Sequence, residues 1–158
     1  MMLTAKARYA VMALADLAIN YNGEVTSLEV LSKNQNIAIN YLEQIFARLR
    51  KQGLVESFKG PGGGYKLARP QHTISIYDII TAVNEPLKIT RCDDGLHTSC
   101  LGKQGKCLTH NIWAGLSNQI DSFLKSVNLS NIRTQNIMGY TTRCSESHSR
   151  KTQYIENM

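Results

Sequence analysis

Acidic residues are scarce in this chain: 12 Asp+Glu stand against 18 Lys+Arg in 158 residues, a formal net charge of +6. That balance argues against a cationic partner and suits a polyanion or an anionic surface. The surplus is uneven, since residues 1–70 hold nine basic side chains and five acidic ones. Long apolar runs are missing as well. The longest, about Tyr9–Ile19, is interrupted by Asp16 and preceded by Lys6 and Arg8 without a cleavage-site pattern, so it reads as a core helix rather than a membrane span or signal peptide. Without an export signal, a cytoplasmic and reducing compartment is expected. There, four cysteines favour metal or redox work over a disulfide framework. Catalytic constellations are also lacking. No paired carboxylates or Ser/His/Asp grouping occurs, and a Cys107–His110 nucleophile–base pair would lack an evident substrate pocket. We expect no enzyme and no small-molecule substrate.

What the chain does contain is periodicity. Between Leu3 and Tyr21, the residues Leu14, Leu17, Ala18 and Tyr21 place one apolar stripe on a first helix. Thr26-Ser-Leu-Glu29 has the form of a capping box and predicts a short second helix over about Ser27–Lys33. After the polar turn 34–38, Leu42, Ile45, Phe46 and Leu49 predict a third helix that Gly53 ends. Two short apolar runs, 54–58 and 65–68, flank a glycine-rich tip and predict a β-hairpin. Ser75 and Asp78 begin a fourth helix carrying Ile76, Ile79, Ile80 and Val83, which Pro86 closes.

From Leu87 to Lys106 periodicity stops, and an ordered loop of this length needs something other than a core to hold it. A last helix is predicted from about Leu108 to Val127. There Trp113, Leu116, Ile120, Phe123 and Val127 recur at spacings of 3 and 4, a seam that suits either a dimer contact or packing on the chain's own domain. Beyond Leu129 the composition turns to Asn, Ser, Thr and Arg, as in a disordered tail.

Three helices followed by a two-stranded ribbon is the order of a winged helix-turn-helix. In that arrangement Asn40, Tyr41, Glu43 and Gln44 meet base edges in the major groove. Arg48, Arg50, Lys51 and Lys59 meet phosphates. The side-chain-poor tip, including Gly62 and Gly63, lets backbone N–H groups approach the nucleic acid. A nucleotide-binding reading of this tip fails because no GK[ST] and no strand-to-helix context follow it.

Cys92, Cys100, Cys107 and His110 lie within the unpatterned loop and the turn that ends it. Three thiolates and an imidazole can complete a tetrahedral zinc site or hold an iron–sulfur cluster. Spacing does not choose between them, although the absence of a C-x2-C knuckle tilts toward a cluster. His97, and Cys144 with His148, are weaker candidates.

Four blocks then coincide: Leu-Thr-x-Lys-x-Arg-Tyr-Ala-Val at 3–11, Tyr-Leu-Glu-Gln-x-Phe-x-Arg-Leu-Arg-Lys at 41–51, Gly-Pro-Gly-Gly-Gly-Tyr at 60–65, and Cys-Leu-Thr-His-x-x-Trp at 107–113. On them the sequence resembles the bacterial iron–sulfur cluster regulator family, the IscR-type proteins, although the cysteine loop here is longer. The resemblance implies a homodimer that binds double-stranded DNA. It also implies a [2Fe–2S] cluster on Cys92, Cys100, Cys107 and His110 whose state changes operator choice at cluster-assembly genes. The alternatives are a related nitric-oxide or iron sensor, or a zinc-binding interaction module without DNA.

The expected fold is mainly α with a small β-hairpin wing. Residues 1–86 form the DNA-binding domain, 87–107 the cysteine-rich loop, 108–128 a dimerisation helix and 129–158 the tail.

Overall fold

The structure, a computed structural model, describes residues 4–19, 24–85, 106–134 and 137. Its first helix, α1 (Ala5–Ile19), is alanine-rich on the buried side, where Ala7, Ala10 and Ala13 are fully enclosed beside Leu14 and Leu17. Small side chains let neighbours come close. Accordingly α1 touches α2 (Leu28–Gln35), α3 (Ile39–Lys51), α4 (Ile76–Ala82) and α6 (Leu129–Thr134), and forms the hub of the core. The expected stripe of Leu14, Leu17 and Ala18 is buried there, while Tyr21 lies outside the described residues.

The start of α2 departs from expectation by one residue. Ser27, not Thr26, is the N-cap, and its Oγ accepts from the Val30 N–H at 3.3 Å. Thr26 is held extended because its N–H donates to the Tyr65 carbonyl at 2.9 Å and its carbonyl accepts from the Tyr65 N–H at 2.8 Å. The helix begins only after that bridge.

Helix α3 follows its pattern. Leu42, Ile45, Phe46 and Leu49 are wholly buried, each contributing about 1.5–3 kcal/mol on transfer from water. Gly53 ends the helix at φ +67°, with its N–H on the Arg50 carbonyl and the Leu54 N–H on that of Leu49, both at 3.0 Å. This is the paired closure that a left-handed residue permits. Strands β1 (Val55–Phe58) and β2 (Gly64–Leu67) then pair antiparallel, Val55 opposite Leu67 and Phe58 opposite Gly64. Helices α1–α3 and this hairpin make the winged helix.

Ser75 and Asp78 form a reciprocal capping box at the start of α4, at 3.0 and 3.1 Å. Ser75→Ala is expected to lower stability by about 1 kcal/mol, read as a shift in the denaturant midpoint; an unchanged midpoint contradicts the cap. The helix stops before Pro86. Asn84 at φ +59° closes it, since Asn tolerates the left-handed region, and its N–H reaches the Thr81 carbonyl at 3.0 Å.

Two expectations near the C-terminal end are corrected. Helix α5 (His110–Ser126) starts two residues later than expected and stops before Val127. Val127 is only 6% exposed, and its carbonyl accepts the Ile76 N–H at 2.9 Å. It therefore belongs to this chain's core and not to an outward seam. Residues 129–134, expected to open a disordered tail, instead form α6 against α1, with Leu129 fully buried. Asn128 and Asn131 cap its first turn reciprocally at 2.9 and 3.0 Å. The polar composition that suggested disorder is thus partly capping chemistry. Of the remaining tail only residue 137 is described; Cys144 and His148 lie outside the described residues.

Candidate nucleic-acid interface and metal-ligand turn

With four apolar side chains of α3 facing the core, the opposite side of the helix is left to polar residues. Asn40, Glu43, Gln44 and Lys51 are all exposed on it. Ala38 at the N-cap makes no side-chain cap hydrogen bond, and the positive end of the helix dipole favours an anion there. Amide and carboxylate side chains on this face are equipped to read base edges.

The other residues expected at the interface occupy more specific places. Tyr41 is half-buried and stacks edge-on against Tyr9, with centroids 5.8 Å apart at 89°. It sets the attitude of α3 on α1. Arg50 extends its Nη1 to the Ser57 Oγ at 3.0 Å, tying the end of α3 to the wing. Arg48 points the other way, and its Nη1 donates to the Val83 carbonyl at the exit of α4, 2.9 Å away. Lys51 and Lys59 stay exposed, as does Gly62 at the tip, while Gly63 is half-buried.

Replacing Gln44 by Ala is expected to relax sequence preference, whereas Arg50→Ala should weaken every duplex alike and reduce the salt slope by about one. Titrations on matched and mismatched duplexes separate the two; equal losses on all sequences for both variants contradict the groove assignment.

The glycine tip does more than stay small. Gly62 and Gly63 line one groove with Thr26, Ser27 and Val30, so the wing lies against the start of α2. Gly64 carries this contact. A Cβ built on it would collide with the Thr26 carbonyl oxygen and sit 2.6 Å from the Thr26 carbonyl carbon and 2.8 Å from the Ser27 nitrogen. The sequence pattern marked these glycines as a side-chain-poor tip facing nucleic acid and gave no sign of that close approach within the chain. On its far side, the Tyr65 ring packs against Phe46 at 4.8 Å, coupling wing and α3.

The metal candidates divide. Cys92, Cys100 and His97 lie outside the described residues, whereas Cys107 and His110 share the turn that opens α5. The His110 N–H donates to the Cys107 carbonyl at 3.0 Å. The Cys107 Sγ lies 3.6 Å from the Thr109 Oγ1, which also accepts from the Trp113 Nε1 at 3.1 Å. The His110 side chain is 2% exposed and its Nε2 is shut off from solvent. Among the described residues no group of three or more His, Cys, Asp or Glu is assembled. The donor pair nevertheless fits a thiophilic centre, since a thiol and an imidazole on one turn can both face the same ion or cluster.

Helix α5 rests on α4, with Leu124 packed against the core, Ala114 buried and the Lys125 ammonium over the Tyr77 ring at 4.4 Å. Its outer face is apolar: Trp113 is exposed, Ile112 is 65%, Leu116 42% and Phe123 47% exposed, and Ile120 is half-buried. Ile112 was not singled out by the heptad pattern, although its spacing of four from Leu116 carries the signal. Near the loop base, the Lys6 ammonium, 2.7 Å away, and the Thr4 hydroxyl hold the Glu85 carboxyl below the usual carboxylate range. The stability this adds is complete above the ordinary carboxylate pKa and is lost as pH falls through the lowered value. No helix among the described residues is long and apolar enough to cross a membrane.

Comparison with known proteins places these features. The profile of Rrf2, described as an iron-dependent transcriptional regulator, matches residues 3–135. The chain is 43% identical over 136 residues to the HTH-type transcriptional regulator IscR of Vibrio parahaemolyticus, covering 86% of this chain and 79% of that protein. It is 41% identical over 158 residues to IscR of Xenorhabdus nematophila, covering 96% and 91%. Among solved structures, IscR of T. potens superposes with a TM-score of 0.69 at 30% identity, over 85% of this chain and 88% of that one. The cysteine regulator CymR of B. subtilis shares the fold, with a TM-score of 0.72 at 24% identity over 85% and 98%.

Proposed function

Because the chain belongs to the Rrf2 family of iron-dependent transcriptional regulators, we propose that it is a homodimer whose Cys92, Cys100, Cys107 and His110 hold an iron–sulfur cluster and whose cluster status controls cluster-assembly genes. Its relatives are regulators and not enzymes. DNA binding rests on the winged helix and on the outward side chains of α3.

The observation that carries the cluster half is the Cys107–His110 turn, where a buried imidazole stands one helical turn from a half-buried thiol. When bound, a cluster supplies one-electron redox chemistry and lability toward oxidants. The protein's part is positional. Cys107 would hold the group beside the start of α5, and His110, a weaker donor than thiolate, would be the ligand most readily exchanged. A [2Fe–2S] centre is the reading carried by similarity to the IscR proteins.

The apolar outer face of α5 is the surface that a second copy covers, because Ile112, Leu116 and Phe123 otherwise stay in water. Leu116→Asp is expected to give a monomer by light scattering and to weaken binding to a two-half-site duplex by at least about tenfold. A variant that remains dimeric contradicts this surface.

Anaerobic purification followed by visible absorbance, iron and sulfide analysis and a duplex titration at several salt concentrations tests the whole reading. Iron with matching sulfide and an affinity that falls steeply with salt are expected. Zinc without sulfide, together with no duplex binding, overturns it in favour of a zinc-binding interaction module.

A further inference from the structure

Arg48, expected at a DNA phosphate, makes a contact of another kind within the fold. Its guanidinium leaves α3, crosses to α4 and donates to the Val83 carbonyl at 2.9 Å, over 35 residues of sequence. Val83 is the last residue before the left-handed Asn84 that closes α4. Two residues after Val83, Glu85 is tied by its carboxylate to Lys6 of α1 at 2.7 Å. The cysteine loop leaves from this point, with Cys92 seven residues further along the chain. Three elements therefore meet at the base of the loop: the start of α1, the last turns of the recognition helix and the exit of α4.

We propose that Arg48 is a positioning residue which clips α3 to the exit of α4, so that the state of the cysteine loop is transmitted to the orientation of the base-reading face. This deepens the regulatory reading above and rests on it. The guanidinium suits the task because a planar fork held on a backbone carbonyl fixes direction as well as distance. Lys6 and Glu85 brace the same junction from the side, and the Arg48 charge adds to the pull that keeps the Glu85 carboxyl ionised. A change in the path of the chain after Glu85 shifts the Val83 carbonyl, and Arg48 carries the shift into α3. Asn40, Glu43 and Gln44 lie one to two turns away on that same helix.

The test uses Arg48→Met, which keeps an unbranched apolar stem and removes the donor, beside Arg48→Lys, which keeps a cation for any phosphate. Hydrogen exchange on the metal-free full-length chain is read first. The Asn84 and Glu85 amides, bonded to the Thr81 and Ile80 carbonyls, are expected to lose protection in Arg48→Met; unchanged protection overturns the clip. Affinity for one duplex is then measured in the cluster-loaded and metal-free forms over a range of salt. The ratio between forms, about fivefold or more in the wild-type chain, is expected to fall to about one in Arg48→Met with the salt slope unchanged. A ratio that survives, with a slope reduced by about one and restored by Arg48→Lys, makes Arg48 a phosphate ligand and overturns the coupling. A wild-type chain that binds the duplex equally in both forms overturns the sensing reading and this coupling together, so the two failures are told apart.

Discussion

Gly64→Ala is expected to cost on the order of 3 kcal/mol of stability and to weaken duplex binding through misplacement of the wing. The added methyl runs into the Thr26–Ser27 peptide group: the Thr26 carbonyl oxygen, its carbon at 2.6 Å and the Ser27 nitrogen at 2.8 Å. No rotamer change relieves that contact. The chain must give up the two hydrogen bonds between Thr26 and Tyr65, at 2.9 and 2.8 Å, or move the hairpin away from α2. Either response displaces Tyr65 from Phe46, and with it the link from the wing to α3. Gly62→Ala is the control. Gly62 has φ +75° with open space around it, so its methyl brings backbone strain of about 1–2 kcal/mol without a collision. Thermal or denaturant unfolding of both variants, with duplex titration, decides the matter; equal losses in the two contradict the docking role of Gly64.

The second large effect concerns colour. Cys92→Ala, Cys100→Ala and Cys107→Ala are each expected to yield colourless protein after anaerobic reconstitution, because each removes one of the four assigned donors. His110→Ala is expected to load poorly and lose its cluster faster, since the remaining three thiolates can still engage iron. The metal-free Cys107→Ala chain should unfold close to the wild-type midpoint, as its half-buried thiol stands outside the hydrophobic core. Visible iron–sulfur absorbance retained by all three cysteine variants sinks the ligand assignment.

Much of the fold was legible because its signals are local. Leu42, Ile45, Phe46 and Leu49 announce the buried stripe of α3 by spacing alone, and Ser75 with Asp78 announces a capping box within four residues. The turn that joins Cys107 to His110 was readable in the same way, from a separation of three. Where local signals misled, a distant partner intervened. Thr26 looked like a cap until Tyr65 claimed its backbone, and Val127 continued a heptad until Ile76 drew it into the core. Asn128 and Asn131 carried a local capping signal that the polar composition around them obscured.

The amino-acid sequence by itself determined that this chain builds helices and a glycine-tipped hairpin in winged-helix order, with a positive surplus in its first half and a thiol–imidazole pair at the start of its last long helix. Those properties follow from periodicity and side-chain chemistry within a few residues. Only the tertiary structure decided that Gly64 must be bare, that Arg48 faces α4, that Tyr41 braces α1 and that Val127 is core. Each of these depends on which backbone or ring arrives from far along the chain, and such steric and hydrogen-bonding constraints exist only once the helices have packed.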